Sequence, residues 1–405
     1  MAEERKQPEL RFKGFTDDWI QDKLGNLANF SKGKGYSKND LVSSGFQILL
    51  YGSLYTNYKI EISETNTYVS DDTGAVKSKG HEVVVPSSGE TPDEIARASA
   101  ITSKDIIIGG DLNIVLPPFQ LNSIFLAVVL TFGKSQKELR KRAQGATITH
   151  LRNSDLTHVL VSYPTRKEQD IITLFLKRLD KIITLEQKKI EKLELLKQYL
   201  LQNMFANNDG NPKLRFDNFD EEWIQCELGE ILDKRDEKII PNADYPLMSF
   251  TSTGGIEEKG DRYDRSFLVK NSNKKYKATE FNDLIYSSNN LDVGAIGLNK
   301  FGNACISVVY EIFSITNNNP DVISYIVQTP RILHKIISYR QGALYGQYKI
   351  HSTDFLKVNI LIPKIAEQEK ISNFITNLDS IITLEQSKLM EYKDLKNKLL
   401  QSLFI

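Results

Sequence analysis

The feature of this sequence that most constrains its fold is an internal repeat. The six residues Ile-Ile-Thr-Leu-Glu-Gln occur twice, at positions 182–187 and 381–386. They lie within a longer match, in which 15 of 28 positions are identical between residues 178–205 and 377–404. A duplicated segment of this length predicts that two parts of the chain adopt the same local structure.

A second repeat lies near the start of each half. Residues 8–27 and 212–231 agree at 10 of 20 positions, and each segment contains one of the two tryptophans, Trp19 and Trp223. Two shorter matches extend the pattern: Pro164 with Glu168-Gln169 against Pro363 with Glu367-Gln368, and the triplet Gln-Gly-Ala at 144–146 and 341–343. The chain therefore consists of two halves with one common plan.

The regions between the repeats, residues 25–163 and 229–362, have little sequence in common. Both contain β-type runs, at 81–86, 106–108, 159–163, 305–313 and 358–362. Each also has one helical pattern near its end, at 123–143 and 322–340. We predict an α+β fold with two mixed α/β domains, 1–163 and 208–362, on a shared frame formed by long helices within 164–207 and 363–405.

The frame segments have the period of a coiled coil. Apolar residues recur at the a and d positions of successive heptads, at Ile172, Leu176, Leu179, Ile183, Ile190, Leu193, Leu200 and Met204, and at Ile371, Ile375, Leu378, Ile382, Leu389, Tyr392, Leu399 and Leu403. Proline is tolerated in the first turn of a helix, so Pro164 and Pro363 mark the expected helix starts. A helix from Glu168 to Met204 would be on the order of 55 Å long.

Each apolar seam is interrupted by one glutamate and one lysine, at Glu186 and Lys197 and at Glu385 and Lys396. If the two helices pack antiparallel with Glu186 facing Lys396, then Lys197 faces Glu385 and Ile183 meets Leu399. We predict that these ion pairs select the register. The alternative is that both glutamates lie at the edge of the seam with solvated carboxylates. The antiparallel arrangement would give the molecule a pseudo-twofold axis.

Composition excludes several classes of protein. The two cysteines, Cys226 and Cys305, form no CxxC pair, which argues against a disulfide framework or a zinc ribbon and favours a cytoplasmic location. The longest apolar stretch, residues 124–132, is too short to cross a bilayer and predicts a buried helix. The net charge of zero counts against indiscriminate coating of nucleic acid, but it allows a local basic groove.

Motifs for catalysis are missing from the sequence. It contains no GxxxxGK[ST], HExxH or GxSxG motif, and its five histidines have no metal-ligand spacing. Pro117-Pro118-Phe119 resembles part of an amino-methyltransferase motif, but Leu116 stands where that motif has Asn or Asp. We therefore predict a chain without enzymatic activity and without a bound metal or cofactor.

Polar loops with lysine, arginine or tyrosine recur in both halves. For any one loop a solvated surface is the simpler interpretation, but their recurrence favours a shared role. Lysine and arginine neutralise phosphates, whereas Asn, Gln, Arg and Ser side chains hydrogen-bond to base edges. The candidate DNA contacts are Lys32, Lys34, Tyr36, Lys38, Tyr51, Tyr55, Ser88, Arg142 and Gln144 in the first half, and Ser252, Thr253, Lys274, Lys275, Asn289, Asn290, Arg340, Gln341 and Lys349 in the second.

The order and duplication of these motifs resemble the specificity subunit of type I restriction-modification systems. The residues that carry the resemblance are the paired Pro…Glu-Gln helix starts, the Gln-Gly-Ala triplets, the repeated helices and the LRFxxF…W openings, and together they span the chain. The resemblance implies that each α/β domain is a target-recognition domain for one half of a split DNA sequence, and that the helices are spacers that set the gap.

The same resemblance implies the partners. They would be double-stranded DNA, two modification subunits that methylate adenine with S-adenosylmethionine, and restriction subunits that use ATP and Mg. None of these cofactors would be bound by this chain. Two other interpretations stay open from the residues alone: a protein–protein scaffold with a coiled-coil core, and a separate DNA-binding regulator with paired domains.

Overall fold

The computed structural model describes residues 7–56, 58–145, 148–206, 210–251, 255–258, 274–288, 295–342 and 348–404. The chain divides into two compact units: unit 1 comprises residues 1–187 and 387–405, and unit 2 comprises residues 188–386. Among the described residues, no helix is both long and apolar enough to cross a membrane.

Two helices of 38 residues each, α7 (Arg166–Asn203) and α11 (Ile365–Ser402), form the repeated frame. Their heptads predicted which side chains are buried. Ile172, Leu176, Leu179, Ile183 and Ile190 are buried on α7, and their counterparts Ile371, Ile375, Leu378 and Ile382 are buried on α11. The predicted long helices are therefore confirmed.

Unit 1 contains fourteen strands in its described residues: β1 Ile20–Lys23, β2 Asn29–Lys32, β3 Leu41–Val42, β4 Phe46–Leu49, β5 Glu61–Ile62, β6 Tyr68–Val69, β7 Lys77–Lys79, β8 Glu82–Pro86, β9 Ser88–Gly89, β10 Ser99–Ile101, β11 Lys104–Ile108, β12 Leu112–Leu116, β13 Thr149–His150 and β14 Leu160–Tyr163. Its shorter helices are α1 Leu24–Leu27, α2 Ser53–Thr56, α3 Pro92–Ile95, α4 Ser123–Phe132, α5 Lys134–Arg142 and α6 Asn153–Leu156.

The strands of unit 1 build two five-stranded sheets, in the orders β2-β12-β8-β10-β5 and β3-β6-β4-β11-β7. Successive side chains of a strand point to opposite faces, and β8 follows this rule. Val84 packs between the two sheets. Val83 and Val85 pack on the other side, in the core that contains α4, α7 and the C-terminal end of α11. The first sheet is thus buried on both faces, and one of those faces meets the helices.

The described residues of unit 2 contain thirteen strands: β15 Ile224–Glu227, β16 Leu232–Arg235, β17 Lys238–Ile239, β18 Ser249–Phe250, β19 Ile256–Glu257, β20 Tyr276–Thr279, β21 Leu284–Ser287, β22 Ile296–Leu298, β23 Ala304–Ile306, β24 Tyr310–Ile315, β25 Gln341–Gly342, β26 Tyr348–Lys349 and β27 Asn359–Ile362. The shorter helices are α8 Pro320–Gln328, α9 Pro330–Ser338 and α10 Ser352–Phe355.

Unit 2 repeats the layered plan with smaller sheets, in the orders β16-β24-β21-β22 and β17-β20-β23. In β21, Leu284 and Tyr286 face the core that contains the helices, whereas Ile285 faces the second sheet. Both units therefore have the mixed α/β composition that the sequence predicted.

The sequence missed the breaks within three elements. The helix predicted over 123–143 is two helices, because Gly133 ends α4 in an extended conformation and α5 begins at Lys134. The helix predicted over 322–340 is interrupted at Thr329, which has the extended conformation favoured before Pro330. The strand predicted over 305–313 is also two strands, β23 and β24.

The long helices run antiparallel in each unit, but the predicted ion pairs are wrong. In unit 1 Lys396 Nζ lies 2.5 Å from Asp180 Oδ1, and in unit 2 Lys197 Nζ lies 2.6 Å from Asp379 Oδ1. Neither lysine has its predicted partner, Glu186 or Glu385. The physical reason is the length of the lysine side chain, which carries the ammonium from the apolar seam to an aspartate at the seam's edge.

The alternative, that both seam glutamates are solvated, is wrong for Glu385. Glu385 is only 4% exposed, and its Oε2 lies 3.0 Å from Lys189 Nζ on the facing helix of unit 2. Glu186 is half-buried, and its Oε2 is buried without a hydrogen-bond partner among the described residues. The apolar layers predicted for the seam, such as Ile183 with Leu399, stay predictions.

Candidate nucleic-acid interface

A buried ion pair fixes the opening segment of each unit to the start of a long helix. In unit 1, Arg11 donates two hydrogen bonds of 2.8 Å to Glu168, which is 1% exposed. Arg215 makes the same two bonds, also of 2.8 Å, to Glu367 in unit 2. The hydrogen bond to the carboxylate raises the pKa of each arginine. The Leu-Arg-Phe repeat thus supplies one half of a structural clamp.

The glutamine after each of these glutamates joins the long helix to the helix behind the sheet. In unit 1 the side chain of Gln169 accepts a hydrogen bond from the backbone N–H of Asn122 and donates to the carbonyls of Gln120 and Pro164. Asn122 in turn caps the N-terminus of α4. Gln169 therefore holds α4 against α7.

Unit 2 repeats this arrangement around α8. The side chain of Gln368 accepts from the backbone N–H of Asn319 and donates to Asn318 Oδ1 and to the carbonyl of Pro363. Asn319 caps α8. The Asn-rich segment before Pro320 is therefore part of the frame.

The repeated tryptophans also have matching partners. Trp19 stacks edge-on against Phe404 in unit 1, with ring centroids 6.4 Å apart. Trp223 stacks edge-on against Phe205 in unit 2 at 6.5 Å. Phe205 and Phe404 are the last matched residues of the long repeat. Each copy of the long repeat therefore ends in an aromatic contact with one of the two repeated tryptophans.

The Gln-Gly-Ala triplet of unit 1 begins a hairpin beside the Ser-Ser loop. Gln144 and His150 exchange backbone hydrogen bonds of 3.1 and 2.8 Å, and the backbone N–H of Leu151 donates to the carbonyl of Ser87 at 3.1 Å. Gly145 has φ +148°, and a Cβ there would lie 1.8 Å from the carbonyl oxygen of Ile148. Only glycine fits this turn.

The hairpin of unit 2 is paired in an equivalent way, across a loop that is two residues longer. Gln341 pairs with Lys349, and the backbone N–H of Ile350 donates to the carbonyl of Ser288 at 3.1 Å. The two units thus place a hairpin against a serine loop in the same way, although the sequences of the loops differ.

In unit 1 the hairpin and the serine loop border a groove of about 800 Å³. Four of the predicted DNA contacts line this groove: Lys38, Tyr51, Tyr55 and Ser88. Tyr51 is exposed and stacks edge-on against Tyr55, whose hydroxyl donates to the carbonyl of Ser88 at 2.5 Å. Burial raises the pKa of Tyr55, so its hydroxyl stays protonated and supports the groove. Tyr51 is the freer of the two rings.

The remaining predicted contacts of unit 1 lie outside the groove lining. Lys32 and Lys34 are exposed, and the backbone of Lys34 bonds to that of Ile108. The Tyr36 hydroxyl donates to the carbonyl of Asp71, and burial raises its pKa. Gln144 is exposed on the hairpin, whereas Arg142 at the end of α5 bonds to the carbonyl of His158.

Five of the predicted contacts of unit 2 lie outside the described residues: Ser252, Thr253, Asn289 and Asn290, and the side chain of Gln341. Lys274, Lys275 and Lys349 are exposed, and Lys274 Nζ lies 5.4 Å from the ring centre of Tyr276. Arg340 is half-buried just after α9.

Sequence reasoning missed four ionisable residues of the groove in unit 1: His150, Glu90, Glu94 and Asp111. Only the pairing within the hairpin could have indicated His150. His150 pairs with the glutamine of the Gln-Gly-Ala triplet in unit 1, as Lys349 does in unit 2. The three carboxylates belong to no local sequence pattern. They line the same groove only because the fold brings the β11–β12 turn close to the α3 region. Within the described residues, no cluster of His, Cys, Asp and Glu could hold a metal ion.

Comparison with known families gives two matches along the chain. Residues 16–195 and 220–392 match the family model described as Type I restriction modification DNA specificity domain. No curated protein sequence matches the chain.

Solved structures with the same fold cover nearly the whole chain. The S subunit of a type I restriction-modification system from M. genitalium is 15% identical, with a TM-score of 0.57 over 98% of this chain and 99% of that one. The HsdS subunit from Thermoanaerobacter tengcongensis is 14% identical, with a TM-score of 0.50 over 95% of each chain. A chain from a study of complex assembly and conformational transition in the type I R-M system is 14% identical, with a TM-score of 0.55 over 95% and 97%.

Proposed function

The chain belongs to the family of type I restriction modification DNA specificity domains, and on this premise we propose that each unit reads one half of a bipartite sequence in double-stranded DNA. The observation that carries the proposal is the repeated pairing of a Gln-Gly-Ala hairpin with a serine loop, on frames that have the same contacts. A protein that recognises two different half-sites needs the same framework in both units and loops of different sequence.

The side chains suit two kinds of DNA contact. Exposed lysines such as Lys32, Lys34 and Lys275 fit the phosphate backbone, because binding there depends on charge and not on base sequence. Tyr51 and Ser88 in the groove of unit 1 offer hydroxyls to base edges. We infer that the groove reads bases and that the lysines hold the duplex.

The long helices would set the distance between half-sites and dock two modification subunits. Apolar side chains on both helices support docking, since exposed apolar patches mark protein interfaces. The exposed residues are Ile182, Leu185, Leu195, Leu196 and Tyr199 on α7, and Ile381, Leu384, Met390 and Leu395 on α11.

The chemistry of the complex would belong to other chains. S-adenosylmethionine would be bound by the modification subunits, and ATP and Mg by the restriction subunits. This chain would contribute recognition without catalysis, in keeping with the absence of catalytic motifs from its sequence.

The direct test is to co-express the chain with its modification subunit and map methylated adenines in the host genome. We expect a split sequence with a fixed gap. Replacing Lys34 by Ala should weaken binding to every sequence alike and lower the salt dependence of log K by about one unit. Lys104→Ala is the matched control, because Lys104 is exposed at the opposite end of β11 from Ile108, which contacts Lys34. Methylation without a split sequence would contradict the proposal.

The spacer role predicts a change in the gap. Seven residues inserted into both α7 and α11 preserve the heptad phase and lengthen each helix by about 10 Å. This corresponds to about three base pairs of duplex at 3.4 Å per step. Methylation mapping should find unchanged half-sites with a longer gap. An unchanged gap would refute the spacer role and leave recognition by the two units untouched.

A further inference from the structure

One position of the duplicated hairpin carries a different basic residue in each unit. His150 pairs with Gln144 in unit 1, and Lys349 pairs with Gln341 in unit 2. In both units the next residue along the chain donates its N–H to the serine loop at 3.1 Å. The two basic residues are therefore equivalent in their pairing and in their place beside the serine loop.

His150 is exposed and borders the groove of unit 1. No hydrogen bond of its imidazole ring to another described residue is present. The charged and titratable groups that face the same groove come from four elements: Lys38 from the 3-10 turn Lys38–Asp40, Tyr51 and Tyr55 from the α2 region, Glu90 and Glu94 from the α3 region, and Asp111 from the β11–β12 turn. Lys349 is likewise exposed.

The two side chains differ in one chemical respect. Histidine changes its charge between about pH 5 and 8, whereas a solvated lysine stays charged throughout that range. Negative charge near an imidazole favours its protonated form. The groove already presents three carboxylates, and a bound duplex would add phosphates.

On the premise that the units bind DNA, we propose that His150 and Lys349 are matching DNA contacts, and that unit 1 takes up a proton at His150 when it binds its half-site whereas unit 2 takes up none at Lys349. The proton comes from solvent and adds to the imidazole nitrogen, which then donates to a DNA oxygen. Affinity gained in this way is present at low pH and is lost as the pH rises.

The test measures binding of the full chain to a fluorescein-labelled duplex that carries the sequence found by methylation mapping. Wild-type affinity should fall from about pH 6 to pH 8, by at most tenfold per pH unit for one proton. His150→Lys should remove this dependence, and Lys349→His should add a second one. His150→Ala should weaken binding at pH 6 by about tenfold. His81→Ala is the matched control, because His81 is exposed and precedes β8, whereas the serine loop follows it.

Two results would overturn the inference and leave the proposed function standing. One is a His150→Ala chain that binds the duplex with wild-type affinity and wild-type pH dependence. The other is a Lys349→His chain whose binding has no added pH dependence, which would break the equivalence of the two positions. A wild-type chain that fails to bind the mapped duplex would instead overturn the proposed function and the inference with it.

Discussion

The two units share one sheet and differ in the other. The sheet that faces the helices has the order β2-β12-β8-β10 in unit 1 and β16-β24-β21-β22 in unit 2, so its strands occupy equivalent places. Unit 1 adds β5 at the edge, parallel to β10. The second sheet has five strands and one parallel pair in unit 1, against three antiparallel strands in the described part of unit 2. Divergence therefore increases with distance from the helices.

The shared part is held by a few repeated contacts. The buried Arg–Glu pair, the glutamine bonded to a capping asparagine and the Trp–Phe contact recur with nearly the same distances. The Arg–Glu pair connects the opening segment to a long helix, and the glutamine connects α4 or α8 to it. The Trp–Phe contact connects the opening segment to the residues that follow a long helix. A frame fixed by so few side chains leaves the rest of each unit free to differ, which is what a reader of two half-sites requires.

The largest expected effect comes from breaking the Arg–Glu pair. Glu168→Gln leaves Arg11 without its carboxylate, and Glu367→Gln does the same to Arg215. Removing one partner of a buried ion pair costs about 3–5 kcal/mol of unfolding free energy. Each unit contains one tryptophan, so Trp223→Phe leaves Trp19 as the reporter of unit 1 in a urea titration, and Trp19→Phe isolates unit 2.

The losses of unfolding free energy caused by Glu168→Gln in unit 1 and by Glu367→Gln in unit 2 are to be compared with each other. Equal losses would show that the two clamps are equivalent. A loss of less than 1 kcal/mol in either unit would break the equivalence. Glu391→Gln, at an exposed site on α11, serves as the control and should change stability by less than about 0.5 kcal/mol.

A smaller effect is expected from the glutamines. Gln169 and Gln368 are buried; Gln169→Ala leaves the partly buried backbone N–H of Asn122 without its acceptor, and Gln368→Ala does the same for Asn319. An unsatisfied buried group costs about 1–3 kcal/mol. The same tryptophan reporters measure it. A Glu replacement keeps the accepting oxygen but places a buried carboxylate against the two oxygen acceptors of the donated bonds, so we expect it to be at least as destabilising as Ala.

The sequence predicted the frame better than the contacts within it. The heptads predicted α7 and α11 because burial follows a period that a single helix reveals. They could not predict that Lys396 pairs with Asp180. A heptad pattern determines which face of a helix is buried, but it does not determine where the end of a long, flexible side chain lies. Likewise, composition pointed to Lys38, Tyr51 and Ser88, whereas Asp111 enters the groove only through the pairing of strands distant in sequence.

The smallest expected effect concerns the lysines at the helix edge. Lys396 with Asp180 in unit 1 and Lys197 with Asp379 in unit 2 are partly exposed, and such pairs contribute about 0.2–1 kcal/mol. A double-mutant cycle with Lys396→Ala and Asp180→Ala should give a coupling energy in that range, weaker at high salt.

The matched cycle with Lys396→Ala and Glu186→Ala tests the register directly. It should give no measurable coupling, because Lys396 reaches the aspartate at the edge and not the glutamate of the seam. Coupling to Glu186 instead of Asp180 would restore the register that the heptads alone suggest. Repeating both cycles in unit 2, with Lys197 against Asp379 and then against Glu385, shows whether the halves share this detail as they share the clamp.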